Sequence, residues 1–340
     1  MSTTSYKCLS CGAGIHYKPE LQKFKCDYCL SEYSEEELLN QSKKETVGKL
    51  NSYTCESCGA KVVTDDTTTS TLCYYCHNPV IISDRLEGEF LPDKIIPFTI
   101  DRDRAQKIFL EWVGNKMFVP SDFTSSSQLE KITGIYIPYW WVDYKADIDY
   151  VGEGRRITVW RSDNREYKQT DKYQIIRSGK IDINNIGELA LTKIDNNLLN
   201  GIGPFNESEA IPFSMPYLSG FFAEQYNIKK EEIAPVIEKQ AKKYFRYLID
   251  ESIGGYNRVR TIRNSIDIDL EKWNYTLLPA WILTYVYKNK TYVFAVNGQT
   301  GKAHGKLPLS NNRLAKAFGI VSAATAATLL LLLAGGMFIW

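Results

Sequence analysis

Eight cysteines are the residues whose type and spacing most directly predict chemistry in this sequence. They form two sets of C-x2-C-x14-C-x2-C, and each member of the second set lies 47 residues after its counterpart. Two residues between cysteines allow one turn to direct both sulfur atoms at one ion, which is the spacing typical of zinc sites. The predicted ligands are Cys8, Cys11, Cys26 and Cys29 for one ion, and Cys55, Cys58, Cys73 and Cys76 for a second.

The ligand chemistry favours two structural Zn²⁺ ions. Four thiolates complete a tetrahedral zinc site and leave no position for the water molecule that a catalytic zinc requires. A module this short cannot bury enough surface to fold alone, and a bound ion can supply the missing stability. A rubredoxin-type iron site would use the same four thiolates. A redox C-x-x-C pair is a further alternative, but it has no need of four copies in register.

Composition and charge indicate a folded protein in a reducing compartment. Of the 340 residues, 44% are hydrophobic and 24% charged, as in globular domains. The net charge of +1 excludes a strongly basic protein that coats nucleic acid. The N-terminal residues MSTTSYKCLSC lack the basic and apolar regions of a signal peptide. We therefore expect a cytosolic location, where cysteines bind metal more often than they form disulfides.

The elements that must position these sites are predicted to be two zinc ribbons and one antiparallel-sheet α+β domain. Residues 139–150 alternate between apolar and polar side chains, which predicts a half-buried antiparallel strand. Residues 281–287 and 291–296 flank a polar turn and predict a hairpin. Asp101 is a predicted helix cap. A second predicted helix has apolar residues at helical spacing: Ile233, Val236, Ile237, Ala241, Tyr244 and Leu248.

Two short sequence patterns recur within the predicted α+β domain. The segment Ile96-Pro-Phe-Thr recurs as Ile211-Pro-Phe-Ser, and a Pro-x-Trp strand beginning at Pro138 recurs at Pro279. Either a duplication or similar packing requirements at two strand starts would explain it.

Outside the cysteines, few residues suggest chemistry. The candidates are two pairs of aspartates and one arginine cluster, namely Asp147 with Asp149, Asp267 with Asp269, and Arg258, Arg260 and Arg263. Each is more typical of a solvated strand face than of a metal or phosphate site. Trp141 lies on the same polar face as Asp147 and Asp149, so it should be covered by another element or reserved for a partner. No nucleotide-binding or hydrolase motif occurs, and we predict that the chain is not an enzyme.

The C-terminal segment predicts a membrane span. Residues 317–340 carry no charge, and as a helix they would extend roughly 36 Å against a hydrocarbon core of about 30 Å. Four cations and no acid lie in residues 302–316, which predicts the cytoplasmic side. We expect a single-pass tail anchor in the plasma membrane, with the bilayer as a partner and the N-terminal domains in the cytoplasm. Small residues that would let another helix approach recur at Gly319, Ala323 and Ala327.

The predicted domain organisation follows from these patterns. It comprises zinc ribbon 1 (1–40), a linker (41–50), zinc ribbon 2 (51–85), the α+β domain (86–305), a basic juxtamembrane linker (306–316) and the transmembrane anchor (317–340).

The doubled Tyr-x-Cys-x-x-Cys-Gly-Ala motif, beginning at Tyr6 and Tyr53, resembles the TFIIB-type zinc ribbons of many bacterial proteins. With the Pro-x-Trp strands, the Val296-Asn-Gly-Gln-Thr-Gly301 turn and the predicted anchor, the whole chain is similar to the bacterial YdjG-type family. The resemblance implies a membrane-side adaptor in an envelope-stress system. Its implied partners are a second membrane protein, an SPFH (flotillin-like) protein and phage-shock protein A. It assigns zinc to all eight cysteines and implies no catalytic residue.

The sequence therefore predicts a non-enzymatic, membrane-anchored zinc-ribbon scaffold that recruits other proteins. The alternative is a nucleic-acid-binding ribbon protein of replication or transcription. Residues 1–85 hold nine Lys/Arg and eleven Asp/Glu, a net of 9 − 11 = −2. Two Zn²⁺ with eight thiolates would add 4 − 8 = −4. Phosphate binding requires the opposite sign, so nucleic acid is disfavoured as a partner.

Overall fold

A mixed β-sheet of eleven strands connects the cysteine-rich region to the rest of the chain. The structure is a computed structural model that describes residues 3–4, 6–39, 52–55, 61–64, 68–73, 78–86, 88–114, 116–120, 132–287 and 290–336. Three long strands dominate the sheet: β10 (Thr133–Ser162), β11 (Arg165–Leu189) and β14 (Arg258–Tyr287). β10 lies between the other two and pairs antiparallel with both.

The other described strands are short. In chain order they are β1 (Thr3–Thr4), β2 (Ile15–Lys18), β3 (Lys23–Cys26), β4 (Glu32–Tyr33), β5 (Ser52–Thr54), β6 (Lys61–Val63), β7 (Thr68–Leu72), β8 (Pro79–Ile82), β9 (Lys94–Ile95), β12 (Ile211–Pro212), β13 (Phe222–Glu224), β15 (Lys290–Asn297) and β16 (Ala303–Gly305). The main sheet runs β1-β8-β7-β13-β10-β14-β15-β16, with β11 beside β10 and with β9 joining β12 to β14. Strands β2, β3 and β4 form a second sheet, and β5 pairs with β6.

Five helices are described, and apolar residues at helical spacing set the buried faces of the second and the fourth. They are α1 (Glu35–Leu39), α2 (Arg102–Gly114), α3 (Asn196–Ile202), α4 (Lys230–Ser252) and α5 (Asn311–Gly336). The Asp101 carboxylate accepts a hydrogen bond from the Arg104 N–H at 2.6 Å, as an N-terminal cap of α2 does. Helix α4 covers one face of β10 and β11.

The core joins the first cysteine-rich segment to the main sheet through aromatic rings. Phe98 stacks on Phe221 with ring centroids 4.2 Å apart and an interplanar angle of 7°. Phe221 also lies 5.9 Å from Trp281 and 6.5 Å from Tyr17, which belongs to β2. Fully burying an aromatic side chain of this kind contributes about 1.5–3 kcal/mol. These contacts place β2 and the main sheet in one hydrophobic core.

The predicted antiparallel fold class is wrong, because the main sheet is mixed. β13 runs parallel to β10, and β9 runs parallel to β14. A parallel pair requires a long crossover connection, and here β11 and residues 190–221 separate β10 from β13. Strands of two or three residues joined over such distances leave no alternating pattern in the sequence, so only the tertiary structure reveals them.

The predicted transmembrane helix and single-pass membrane placement are also wrong. Within the described part of the chain, no helix is long and apolar enough to cross a membrane. Helix α5 occupies most of the predicted span, but it begins with two asparagines and includes Arg313 and Lys316. Its following turns are rich in small and hydroxylated residues, and the hydroxyls of Thr325 and Thr328 donate to carbonyls one turn back. Such side chains contribute little apolar surface. Residues 337–340 of the predicted span lie outside the described residues.

The two recurring sequence patterns lie on or beside strands that pair with each other. The two Pro-x-Trp strands are β10 and β14, which pair with each other, and Tyr136 lies opposite Pro279. The first Ile-Pro-Phe segment directly follows β9, and the second begins in β12, which pairs with β9 so that Ile95 lies opposite Ile211. A duplication of this unit stays a prediction.

Candidate metal centre

Two turns of the same geometry hold the first four cysteines. In the first turn the Gly12 N–H donates to the Cys8 carbonyl at 2.8 Å, and in the second the Leu30 N–H donates to the Cys26 carbonyl at 3.0 Å. Gly12 and Leu30 both adopt left-handed backbone angles, with φ of +75° and +62°. This conformation costs a non-glycine residue about 1–2 kcal/mol. Leu30 therefore has a strained backbone conformation in the turn that holds the second cysteine pair.

The four sulfur atoms converge on one point. The Sγ atoms of Cys8, Cys11, Cys26 and Cys29 all lie within 4.8 Å of one another. Cys8 Sγ is 3.3 Å from Cys29 Sγ, and Cys11 Sγ is 3.6 Å from Cys26 Sγ. Zinc–sulfur bonds of about 2.3 Å in a tetrahedron put sulfurs roughly 3.8 Å apart. The sulfur positions therefore fit a four-coordinate metal ion.

The electrostatics of the cluster also favour a bound cation. Burial raises the pKa of the Cys8 thiol, but hydrogen bonds with Tyr33 and Cys29 outweigh it and lower the pKa to about 6. A hydrogen bond with the Ala13 backbone favours the Cys11 thiolate, yet burial and the neighbouring thiols raise its pKa to about 12. Four sulfurs this close cannot all carry negative charge alone. A divalent ion removes the repulsion and allows every thiol to ionise.

The site is packed into the main core rather than held on a separate module. Cys8 and Cys26 are buried, whereas Cys11 and Cys29 are exposed. The Tyr17 N–H donates to the Ser219 carbonyl at 3.1 Å, and the Ser219 hydroxyl donates to the Ile15 carbonyl. The Tyr17 ring lies 5.0 Å from the Tyr217 ring, edge to face. The four cysteines thus belong to a segment that packs against residues some 200 positions later in the chain.

Half of the second predicted ligand set lies within the described residues. Cys55 and Cys73 are both buried and form one cluster with Val80. The Cys73 N–H donates to the Asn78 carbonyl at 2.9 Å, and the Cys26 N–H makes the same bond to Ser31 at 3.0 Å. Both acceptors lie five residues after their cysteine. Cys58 and Cys76 lie outside the described residues.

The remaining sequence candidates do not form a second centre. Among the described residues, the first four cysteines are the only group of three or more His, Cys, Asp or Glu side chains close enough to share a metal. Asp147 lies opposite Asp267 on paired strands, and Asp149 is ion-paired with Arg263 at 2.8 Å. Trp141 is buried against Ile96 and Leu278, so the expectation of a covering element is confirmed.

Sequence reasoning missed the polar neighbours of the sulfurs. The Tyr33 hydroxyl lies 3.1 Å from Cys8 Sγ and accepts from the Ser10 N–H at 3.1 Å. The Ser31 hydroxyl lies 3.3 Å from Cys29 Sγ. The repeat could have drawn attention to Tyr33, because its counterpart 47 positions later is Val80, which has no hydroxyl. The two cysteine-rich segments therefore differ in sequence at this position.

Comparison with known proteins gives one informative relative. No family model matches the chain, and no solved structure matches it. The uncharacterized protein YdjG of Bacillus subtilis (strain 168) is 31% identical over 260 residues, which cover 76% of this chain and 76% of YdjG. Identity at this level over three quarters of both chains shows common descent, and this chain belongs to the YdjG family.

Proposed function

We propose that this chain is a non-enzymatic zinc-ribbon scaffold that recruits other proteins. One observation carries the proposal, namely that the four-sulfur site lies in the same hydrophobic core as the main sheet. A metal with four thiolate ligands has no open position for a substrate. Its effect is therefore to fix β2 and β3 against the sheet and to give the protein a rigid surface for binding.

Zinc is the proposed ion at both sites. Four thiolates in a tetrahedron suit Zn²⁺, which has no redox chemistry. For the second site, support comes from the burial of Cys55 and Cys73 and from the Cys73–Asn78 hydrogen bond, which repeats the turn geometry of the first. Both arguments favour structural ions that stabilise the fold.

Nucleic-acid binding is the second candidate, and one observation favours it. Arg155 lies opposite Arg258 on neighbouring strands, so the structure gathers a basic cluster. The ribbons themselves have a net charge of −2 over residues 1–85 before any thiolate is counted, which opposes phosphate binding. The second membrane protein, SPFH protein and phage-shock protein A implied by the family resemblance stay predictions.

Co-purification tests the scaffold proposal. Tagged full-length chain, purified from crosslinked bacterial cells, should retain at least two different proteins in one complex through two successive affinity steps. Because the metal orders the ribbon, the Cys26→Ser chain should lose at least one of them. Recovery of nucleic acid that washes off with salt, without enriched protein, would support the alternative instead.

Replacing Tyr33 with phenylalanine should weaken zinc binding at the first site about tenfold. The change removes the hydroxyl beside Cys8 Sγ and leaves the Ser10 N–H without that acceptor. Loss of polar partners around metal ligands typically costs about 10–100-fold in affinity. Competition with a chromophoric zinc chelator measures the change.

The control for this variant is Tyr28→Phe in the same ribbon, whose side chain is 85% exposed. Its zinc affinity should stay within about twofold of the wild type. Equal weakening in both variants would mean that the Tyr33 hydroxyl has no specific effect on the site.

A further inference from the structure

A long three-stranded arm extends from the body of the protein and has no role in the metal site. It consists of residues 143–162 of β10, 165–184 of β11 and 258–272 of β14, all paired antiparallel. At about 3.3 Å per residue the β10 segment alone spans roughly 65 Å. The inference below rests on the proposed scaffold function and identifies the surface that would serve it.

Helix α4 covers one face of the arm and leaves the other open. Tyr144, Ile148 and Tyr150 of β10 are buried in the same cluster as Ile237 and Phe245 of α4. Side chains alternate between the two faces of a strand. The intervening residues of β10 therefore lie on the opposite face, and they are half-buried or exposed. We call this second surface the open face.

The distal part of the open face is basic. Arg258 lies opposite Arg155, and Arg260 lies opposite Glu153. Lys172 of β11 lies on the other side of Arg155. Hydrogen bonding with Arg155 lowers the pKa of Glu153, and Lys172 and Arg260 add to the effect. Within the described residues, neither Arg258 nor Arg260 lies within ion-pair distance of a carboxylate. The face thus has unneutralised positive charge.

Aliphatic side chains and an uncovered strand edge accompany this charge. Ile176, 54% exposed, lies opposite Val151 on the open face. On its outer side, β14 pairs with β9 only at Thr276 and Leu277 and with β15 only from Ala280 onward. In the part of the chain that the structure describes, no strand therefore covers the outer edge of β14 before Thr276. An uncovered edge presents N–H and C=O groups to which an extended segment can add.

The placement of the aromatic rings favours a protein over a nucleic acid. Bases would need free aromatic faces beside the cations. Trp160 and Tyr167 are stacked on each other at 5.7 Å and 14°. By strand alternation they lie on the face opposite Arg155. The Arg156 guanidinium lies over Tyr173 on that same face. The open-face residues paired beside these arginines are Glu153, Lys172 and Gln174, none of which has an aromatic ring for stacking.

We propose that the outer edge of β14 and the distal open face bind an extended acidic segment of a partner protein. The segment's backbone adds to β14 as a further strand. The acidic side chains of the segment contact Arg258 and Arg260, and its apolar side chains alternate with the acidic ones along the strand. Backbone pairing supplies affinity, while charge complementarity selects the partner and fixes the register.

The test uses the full-length chain and a fluorescent twelve-residue peptide of alternating glutamate and valine, titrated by anisotropy. The Arg258→Glu/Arg260→Glu double variant should bind at least tenfold more weakly. The matched control, Lys243→Glu/Arg246→Glu, makes the same charge change at two exposed positions of α4 and should change the dissociation constant less than twofold. Thermal melts establish that both variants are folded, and Arg258→Ala/Arg260→Ala should give an intermediate loss.

Three results would overturn the proposal. They are equal binding of an alternating lysine–valine peptide, equal weakening by Lys243→Glu/Arg246→Glu, and tighter binding of a twelve-nucleotide single-stranded DNA that depends on Arg258 and Arg260. The last would assign the face to nucleic acid. Co-purification separates this failure from that of the scaffold. If the Arg258→Glu/Arg260→Glu variant retains the wild-type partners, the scaffold proposal is supported and the assignment of the arm as the binding surface is wrong. If the wild type retains none, the scaffold fails, while the titration still tests the arm.

Discussion

Cys26→Ser should reduce the zinc content of the purified chain from two ions to one and lower its thermal midpoint by about 10 °C. Structural zinc in zinc-finger peptides contributes about 10–16 kcal/mol, comparable with the whole stability of an ordinary domain. Loss of the ion should therefore unfold the first ribbon. Because Tyr17 and Phe24 of that ribbon pack on Tyr217, the main core should lose several kcal/mol as well, at about 2–4 °C for each.

Elemental analysis and circular dichroism measure these two effects. A strong chelator applied to the wild type should reproduce the drop in midpoint, and added zinc should reverse it. The second proposed ion has its own four predicted ligands, Cys55, Cys58, Cys73 and Cys76, so it should remain in the variant. Iron in place of zinc, a single ion in the wild type, or an unchanged midpoint in Cys26→Ser would each contradict this account.

Phe221→Ala should lower the free energy of unfolding by about 3–5 kcal/mol, the usual cost of removing a buried phenylalanine ring. The Phe221 ring stacks on Phe98 at 4.2 Å and lies 5.7 Å from Tyr136. It also lies between the first ribbon and the main sheet, so its removal leaves a cavity that neither side can fill without moving. Urea titration measures the loss as a lower midpoint.

Phe318→Ala is the matched control, because that phenylalanine on α5 is 74% exposed. Its free energy of unfolding should stay within about 0.5 kcal/mol of the wild type. If Phe221→Ala cost less than about 1 kcal/mol, the shared core between ribbon and sheet would not stabilise the protein as described.

The cysteine spacing was sufficient to predict that the first four cysteines cluster. Two C-x2-C pairs separated by fourteen residues fix their own turns locally, and the structure brings all four sulfurs together. Local chemistry also determined the cap at Asp101. Both depend on residues close in sequence, where spacing alone constrains geometry.

The sequence was less successful in predicting which face of a helix is buried and what the C-terminal segment does. The apolar spacing of α4 predicted Val236, Tyr244 and Leu248 on its buried side, but all three are exposed and Phe245 and Ile249 are buried instead. Two apolar stripes compete on this helix, and packing against the sheet selects one. For residues 317–340, absence of charge suggested a membrane span, whereas no described helix meets the required length and apolarity.

Only the tertiary structure decided how the parts are joined. Strands of two or three residues, such as β9 and β13, acquire their parallel partners through contacts between distant segments, which leave no local periodicity. Contacts between distant segments also attach the first ribbon to residues 217–221, cover Trp141 and place Arg155 opposite Arg258. Sequence spacing determines a site whose ligands lie within one short module. Long-range packing determines what that module is attached to and which surfaces remain open to a partner.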